Sequence, residues 1–170
     1  PGVEGVLLPS GREGRIRSVQ VHGANAEVAQ AGQRVAVSLS GVPVNEVARG
    51  DALCAKGIYV ATRCFECELH LLEGTPSLRH WQRVRLHLGT SDVTARVSLL
   101  EASSIKGGET APAQIATEED VVCLVDQRFV IRRYSPLETI AGGRVLVPVA
   151  SKPRGGRARA ASAGRIRSLA

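Results

Sequence analysis

The sequence predicts an all-β protein built from two consecutive barrel-like units. Apolar residues alternate with polar ones along most of the chain, which is the pattern of half-buried strands rather than helices. Glycine and proline clusters interrupt these runs at short intervals, as the turns of barrels and sandwiches require. One segment, Val44–Ala48, reads as a helical turn.

In order along the chain, strands are expected around Val3–Leu8, Gly14–His22, Gln33–Leu39 and Ala52–Cys54. Phe65, Cys67, Leu69 and Leu71 then alternate with Cys64, Glu66, Glu68 and His70. Val84, Leu86 and Leu88 alternate with Arg83, Arg85 and His87, and Val93, Ala95, Val97 and Leu99 with Thr94, Arg96 and Ser98. The stretch RFVIRRYSPLETIAGGRVL at Arg128–Leu146 reads as a strand, a tight loop through Ser135-Pro136, and a second strand opened by Gly142-Gly143. A boundary is expected near Lys56–Ala61, giving one barrel over residues 1–58 and a second over 59–150. The first is short for a closed barrel, and a barrel lacking a strand exposes unpaired backbone. Val3, Val6, Leu7 and Leu8 read as a strand already under way behind Pro1, and the chain contains no Met. A fragment, incomplete at its N-terminal side, is therefore expected. Residues 151–170, rich in Arg, Ala, Gly and Ser, read as a flexible basic linker.

Charge narrows the function classes. The net charge is +6, and the six basic residues Lys152, Arg154, Arg157, Arg159, Arg165 and Arg167 account for the surplus, leaving 16 basic against 16 acidic residues in the body. A neutral body argues against non-specific nucleic-acid binding by the folded part and allows a local patch for one defined RNA surface. No apolar run is long enough to span a bilayer, and no signal-peptide pattern opens the chain. Cys64 and Cys67 have metal-like spacing, but no second pair follows, and in a strand they face opposite ways. Free thiols in a reducing cytoplasm and no bound metal are the expectation. Lys106-Gly107-Gly108 lacks the hydroxyl residue of a phosphate loop. The four histidines are scattered, so no catalysis is expected from this chain alone.

Read in order, LLPSGREGRIRSVQVHG, AGQRVAVSLSGV, RGDALC, RVRLHLGTSDVTARVSLL, GGETAPAQI and RFVIRRYSPLETIAGGRVL resemble the second and third domains of the translational GTPases related to elongation factor Tu. Pro9-Ser10-Gly11, Val21-His22-Gly23 and Gly32-Gln33-Arg34 point to the selenocysteine-specific branch. The likeness runs from Leu7 to about Val149, and its weight lies in the order and spacing of short matches.

The resemblance implies a monomeric cytoplasmic factor that delivers selenocysteyl-tRNA to the ribosome. It also implies GTP and Mg²⁺ in an N-terminal domain outside this chain, and contact with a messenger RNA hairpin through C-terminal winged-helix domains. It places Arg34, where elongation factor Tu has Asn, at the aminoacyl pocket. A selenol is ionised at neutral pH, and a guanidinium favours that anion over neutral serine. The alternative for Arg34 is a surface arginine or one paired to Glu27 or Glu46. His22 is either a second pocket residue or a turn histidine. Arg83, Arg85, Arg96, Arg132, Arg133 and Ser135 are candidates for the tRNA stem, where phosphates and 2′-hydroxyls are read, against the alternative of a solvated face. The remaining alternatives are the barrels of another translational GTPase and a ligand-binding barrel outside translation.

Overall fold

A computed structural model describes residues 1–151 and 156–170. It divides into two compact units, residues 1–60 and 61–170.

The first unit is a five-stranded antiparallel sheet of β1 (Glu4–Leu8), β2 (Arg12–Val21), β3 (Ala24–Ala26), β4 (Val35–Ser40) and β5 (Ala52–Cys54). β2 is its hub. Arg15 pairs with Glu4 of β1 and with Ser40 of β4, while Val19 pairs with Ala26 of β3 and with Val37 of β4. β1 and β3 therefore share one edge of β2, and β4 lies along the other. The expected helical turn is a single 3₁₀ turn at Val44–Glu46, where the Val47 amide donates to the Val44 carbonyl at 3.2 Å. Leu7, Leu8, Val19 and Val42 are buried, whereas Val37 is 40% exposed. The apolar phase of β4 is thus only partly covered within residues 1–60.

The second unit contains β6 (Thr62–Leu71), β7 (Leu78–Arg79), β8 (Gln82–Leu88), β9 (Ser91–Leu99), β10 (Ser104–Ile105), β11 (Thr110–Val121), β12 (Arg128–Arg133), β13 (Thr139–Val147) and helix α1 (Gly156–Leu169). Six of these strands close a barrel in the order β11-β6-β13-β12-β8-β9, and closure removes the sheet edges. The alternation read from the sequence points inward as expected: Phe65, Cys67, Leu69, Leu71, Val84, Leu86, Ala95, Val97 and Ile131 are fully buried. Phe65 meets Phe129 edge to face with ring centroids 5.6 Å apart, a favoured aromatic geometry. The all-β expectation holds, with a single α-helix among the described residues.

Two expectations are corrected. β13 begins at Thr139, so Gly142 and Gly143 lie inside the strand instead of opening it. Gly143 pairs with Phe129 and Leu69, and a Cβ there would collide with the Phe129 ring and the Glu68 carbonyl. The glycine is required by close packing, not by a turn. The second correction concerns the tail. Over Gly156–Leu169 it is helix, not flexible linker; Lys152 and Arg154 lie outside the described residues. Ala163 and Ile166 of α1 are buried with Leu100 and Leu146 of the barrel. Glu66, on the outward phase of β6, is fully buried under the helix. It accepts hydrogen bonds from Arg165 at 2.9 and 2.6 Å and from Gln114 at 3.0 Å. The helix escaped sequence reading because its apolar contacts are so few that it carries almost no helical periodicity.

Gly143→Ala is expected to cost about 1–3 kcal/mol through overpacking, read as a lower urea midpoint. Gly142→Ala, whose Cβ would find the Phe129 carbonyl oxygen at 3.4 Å as its nearest neighbour, should stay within about 0.5 kcal/mol. Acid should also weaken the fold. Burial acts to raise the Glu66 carboxyl, but hydrogen bonds from Arg165, Gln114 and Ser162 outweigh it and hold it below its ordinary value of 4.5. A carboxyl depressed by folding stabilises above its unfolded value and loses that contribution as pH falls through the folded one. Urea midpoints measured downward from pH 6 should therefore fall once the pH passes below 4.5, and Glu66→Gln should flatten that decline.

Candidate functional site

In the first unit the sequence builds an open cavity from a tight hairpin and a facing strand. β2 and β3 join through His22 and Gly23, both with positive φ, +53° and +81°, as the two-residue turn of a type I′ hairpin demands. Across β2, Val21 pairs with Val35 and Gln20 with Ala36. Extending that register by one residue sets Arg34 opposite His22. The loop before Arg34 is closed on itself: the Gln30 amide donates to Gln33 Oε1 at 2.8 Å and the Gln33 amide to the Gln30 carbonyl at 3.2 Å. Gly32 supplies the positive φ of +86° that this loop needs.

Gln20, His22, Gly23, Arg34, Val35 and Ala36 line a cavity of about 540 Å³. The structure thus brings together the two residues singled out for the aminoacyl pocket. Arg34 lies one residue before β4 and is exposed. It forms no ion pair or hydrogen bond among the described residues, and Glu46, one of its possible partners, is taken by Arg12 at 2.8 Å. An unpaired guanidinium beside an imidazole and an amide suits a small anionic or polar group. Gln20 was not singled out from the sequence. Its amide donates to Asn25 Oδ1 at 3.1 Å across the hairpin, and the hairpin turn is the signal that points to it.

In the second unit the candidate arginines share one outer face of the barrel. Arg83 of β8 stands opposite Arg96 of β9, and Arg85 of β8 opposite Arg132 of β12. The end of β12 adds Arg133 and the β12–β13 loop the exposed Ser135, with a cis bond to Pro136. These side chains have internal partners. Glu118 accepts two bonds from Arg83 at 3.0 and 2.9 Å, and Asp92 accepts from Arg85 at 3.0 Å. Arg96 donates to the Trp81 carbonyl at 3.3 Å and Arg132 to the Leu137 carbonyl at 2.7 Å. Arg133 lies 3.8 Å from Glu138. Arg83 also lies 5.0 Å from the ring centre of Tyr134, a half-exposed aromatic that sequence reading passed over.

The thiols are arranged as strand geometry requires. Cys67 is in the barrel core and its thiol donates to the Ala113 carbonyl at 3.5 Å, while Cys64, on the other phase of β6, lies 3.8 Å from Gln114 Oε1. Among the described residues no His, Cys, Asp and Glu side chains cluster as a metal site. Burial pushes the Cys67 thiol well above its ordinary value and the Cys123 thiol up to about 12. With an alkylating reagent at pH 8, the half-buried Cys54 and Cys64 should be labelled in the folded protein. Cys67 and Cys123 should be labelled only after denaturation, because the thiolate is the nucleophile. Peptide mass mapping reads the order.

Comparison with known proteins agrees with this architecture. Residues 65–152, just over half of the chain, match the family model described as "Selenocysteine-specific elongation factor, beta-barrel domain". A selenocysteine-specific elongation factor of Desulfomicrobium baculatum is 35% identical over 154 residues, covering 90% of this chain and 24% of that protein. The factor of the same name from Escherichia coli K12 is 32% identical, over 84% of this chain and 21% of its own length. Elongation factor Tu 2 of Streptomyces avermitilis is 30% identical over 82% of this chain and 36% of that protein. The chain spans under a quarter of the length of the two selenocysteine-specific factors. With its closed barrel and this match, the chain belongs to the family of the selenocysteine-specific elongation factor β-barrel domain.

Proposed function

We propose that this chain is the tRNA-binding portion of a selenocysteine-specific elongation factor, with residues 1–60 receiving the aminoacyl end of selenocysteyl-tRNA. The observation that carries the reading is Arg34, a guanidinium without a partner among the described residues, beside His22 at an open cavity. An ionised selenol gains a charge-assisted hydrogen bond there, and a serine hydroxyl does not.

The arginine face of the barrel, β9–β8–β12 with the loop through Ser135, is the proposed surface for the tRNA stem. Its exposed ion pairs, such as Arg83–Glu118, are cheap to rearrange, since surface pairs contribute about 0–1 kcal/mol. Phosphates can then replace carboxylates around Arg83, Arg85 and Arg133 and join the carbonyl-bound Arg96 and Arg132. In this proposal the factor acts as a cytoplasmic monomer at the ribosome. GTP with Mg²⁺ and the messenger RNA hairpin are bound by domains outside this chain, which itself neither binds nor hydrolyses GTP.

The test is affinity of the full-length factor, with GTP bound, for one tRNA carrying selenocysteine or serine at a fixed salt concentration. A charge-assisted bond contributes about 1.5–3 kcal/mol, or roughly tenfold to hundredfold. Arg34→Ala should remove most of the preference for selenocysteine and leave the serylated form nearly unchanged. Arg133→Ala should weaken both forms alike, because a phosphate contact does not sense the amino acid. Equal losses for both forms on Arg34→Ala would place Arg34 on the RNA surface, and no change would leave it a solvated residue.

A further inference from the structure

Helix α1 is attached to the barrel in an unusual way for a packed helix. Its apolar contact is small: Ala163 and Ile166 against Leu100 and Leu146, a cluster separate from the barrel core. Around this spot lies a ring of polar contacts. Arg165 donates twice to the buried Glu66 and lies 3.4 Å from Ser162 Oγ. Arg167 pairs with Glu101. Arg159 donates to the Leu99 carbonyl at 2.8 Å and lies against the His80 ring.

The helix has little stability of its own. It is 14 residues long, within the range in which isolated helices are marginal in water. Gly164 sits in its interior and weakens it further, and it carries four arginines with no acid. Its formation therefore depends on docking. On the barrel side, Glu66 is a fully buried carboxylate. Such a group is tolerated only while a cation and hydrogen-bond donors satisfy it.

We propose that α1 is a strap latched to the outer wall of the barrel by the Glu66–Arg165 ion pair, and that it unfolds as it is released while the barrel stays closed. The latch is two-state because its halves need each other. Without Arg165 the Glu66 carboxylate has to regain water, and water reaches it only if α1 lifts. Without the dock the helix loses its two buried apolar side chains and the reason to remain helical. The barrel does not share this dependence. Its six strands are bonded to one another in a closed ring, and its core lies on the opposite phase of β6 from Glu66. Docked, α1 holds the chain that leaves the barrel against β6, β11 and β13. Released, the same segment becomes a tether with its arginines free.

Hydrogen exchange of the full 170-residue chain at pH 7, followed by peptide mass spectrometry, tests the latch. Peptides of α1 should exchange faster than those of β8, β9 and β12 in the unaltered protein. Arg165→Gln and Glu66→Gln should each speed the α1 peptides by about tenfold to hundredfold, the worth of a charge-assisted hydrogen bond. In both variants the barrel peptides should stay far better protected than those of α1. Arg157→Gln, on the exposed side of the helix, should change neither. Should Glu66→Gln fail to fold, Arg165→Gln decides alone, since its side chain is half-exposed and lies outside the barrel wall. Unchanged α1 exchange on Arg165→Gln would show that the apolar contacts hold the helix. Peptides of α1 and of the barrel sharing one common protection in the unaltered protein would make the helix part of the barrel's cooperative unit. Either result overturns the proposal.

Discussion

Within residues 61–170 the rest of the structure depends on ring closure of the barrel. Each of its six strands is bonded on both sides, so the backbone groups of the wall are satisfied within the ring. Closure also dictates composition. The inner phase of every strand has to fill one small interior, and it does so with aliphatic side chains around the Phe65–Phe129 pair. Where the Phe129 ring crosses β13 no side chain fits, and Gly143 stands there. The outer phase is freed from packing and becomes available for charge.

That freedom is used in two ways on different parts of the wall. On β9, β8 and β12 the outer phase carries arginines held by carboxylates and carbonyls at the surface, where partners exchange at little cost. On β6 the outer phase carries Glu66, which α1 covers, so its partner cannot be exchanged cheaply. The same chemical pair, guanidinium and carboxylate, is labile in the first setting and a fixed latch in the second. The difference is burial, not residue type.

The first unit follows a different logic. Its sheet is open, and its candidate site comes from backbone geometry more than from packing. Two positive φ angles at His22 and Gly23 turn the chain tightly enough that the strand register brings Arg34 across from His22. The resulting candidate site is an open cavity with one cation that has no partner among the described residues.

The sequence by itself determined most of the strands and their inward phases, because these depend on local alternation and on turn residues at fixed offsets; the short β3 that makes a hairpin behind His22 was not legible in it. It also pointed to Arg34, through the resemblance carried by Gly32-Gln33-Arg34. Other features were decided only in three dimensions. Glu66 reads as an exposed residue of an amphipathic strand, and only the docking of α1, 99 positions away at Arg165, buries it. The helix itself has no readable periodicity, since its stability comes from a partner distant in the chain. Gly142 and Gly143 read as a strand opening because glycines usually mark turns; only the position of the Phe129 ring shows that Gly143 makes room inside a strand. Tyr134 gains its meaning from Arg83, which a different strand supplies. Local preference is written in neighbouring residues, whereas burial and pairing are set by which distant segments the closed barrel brings together.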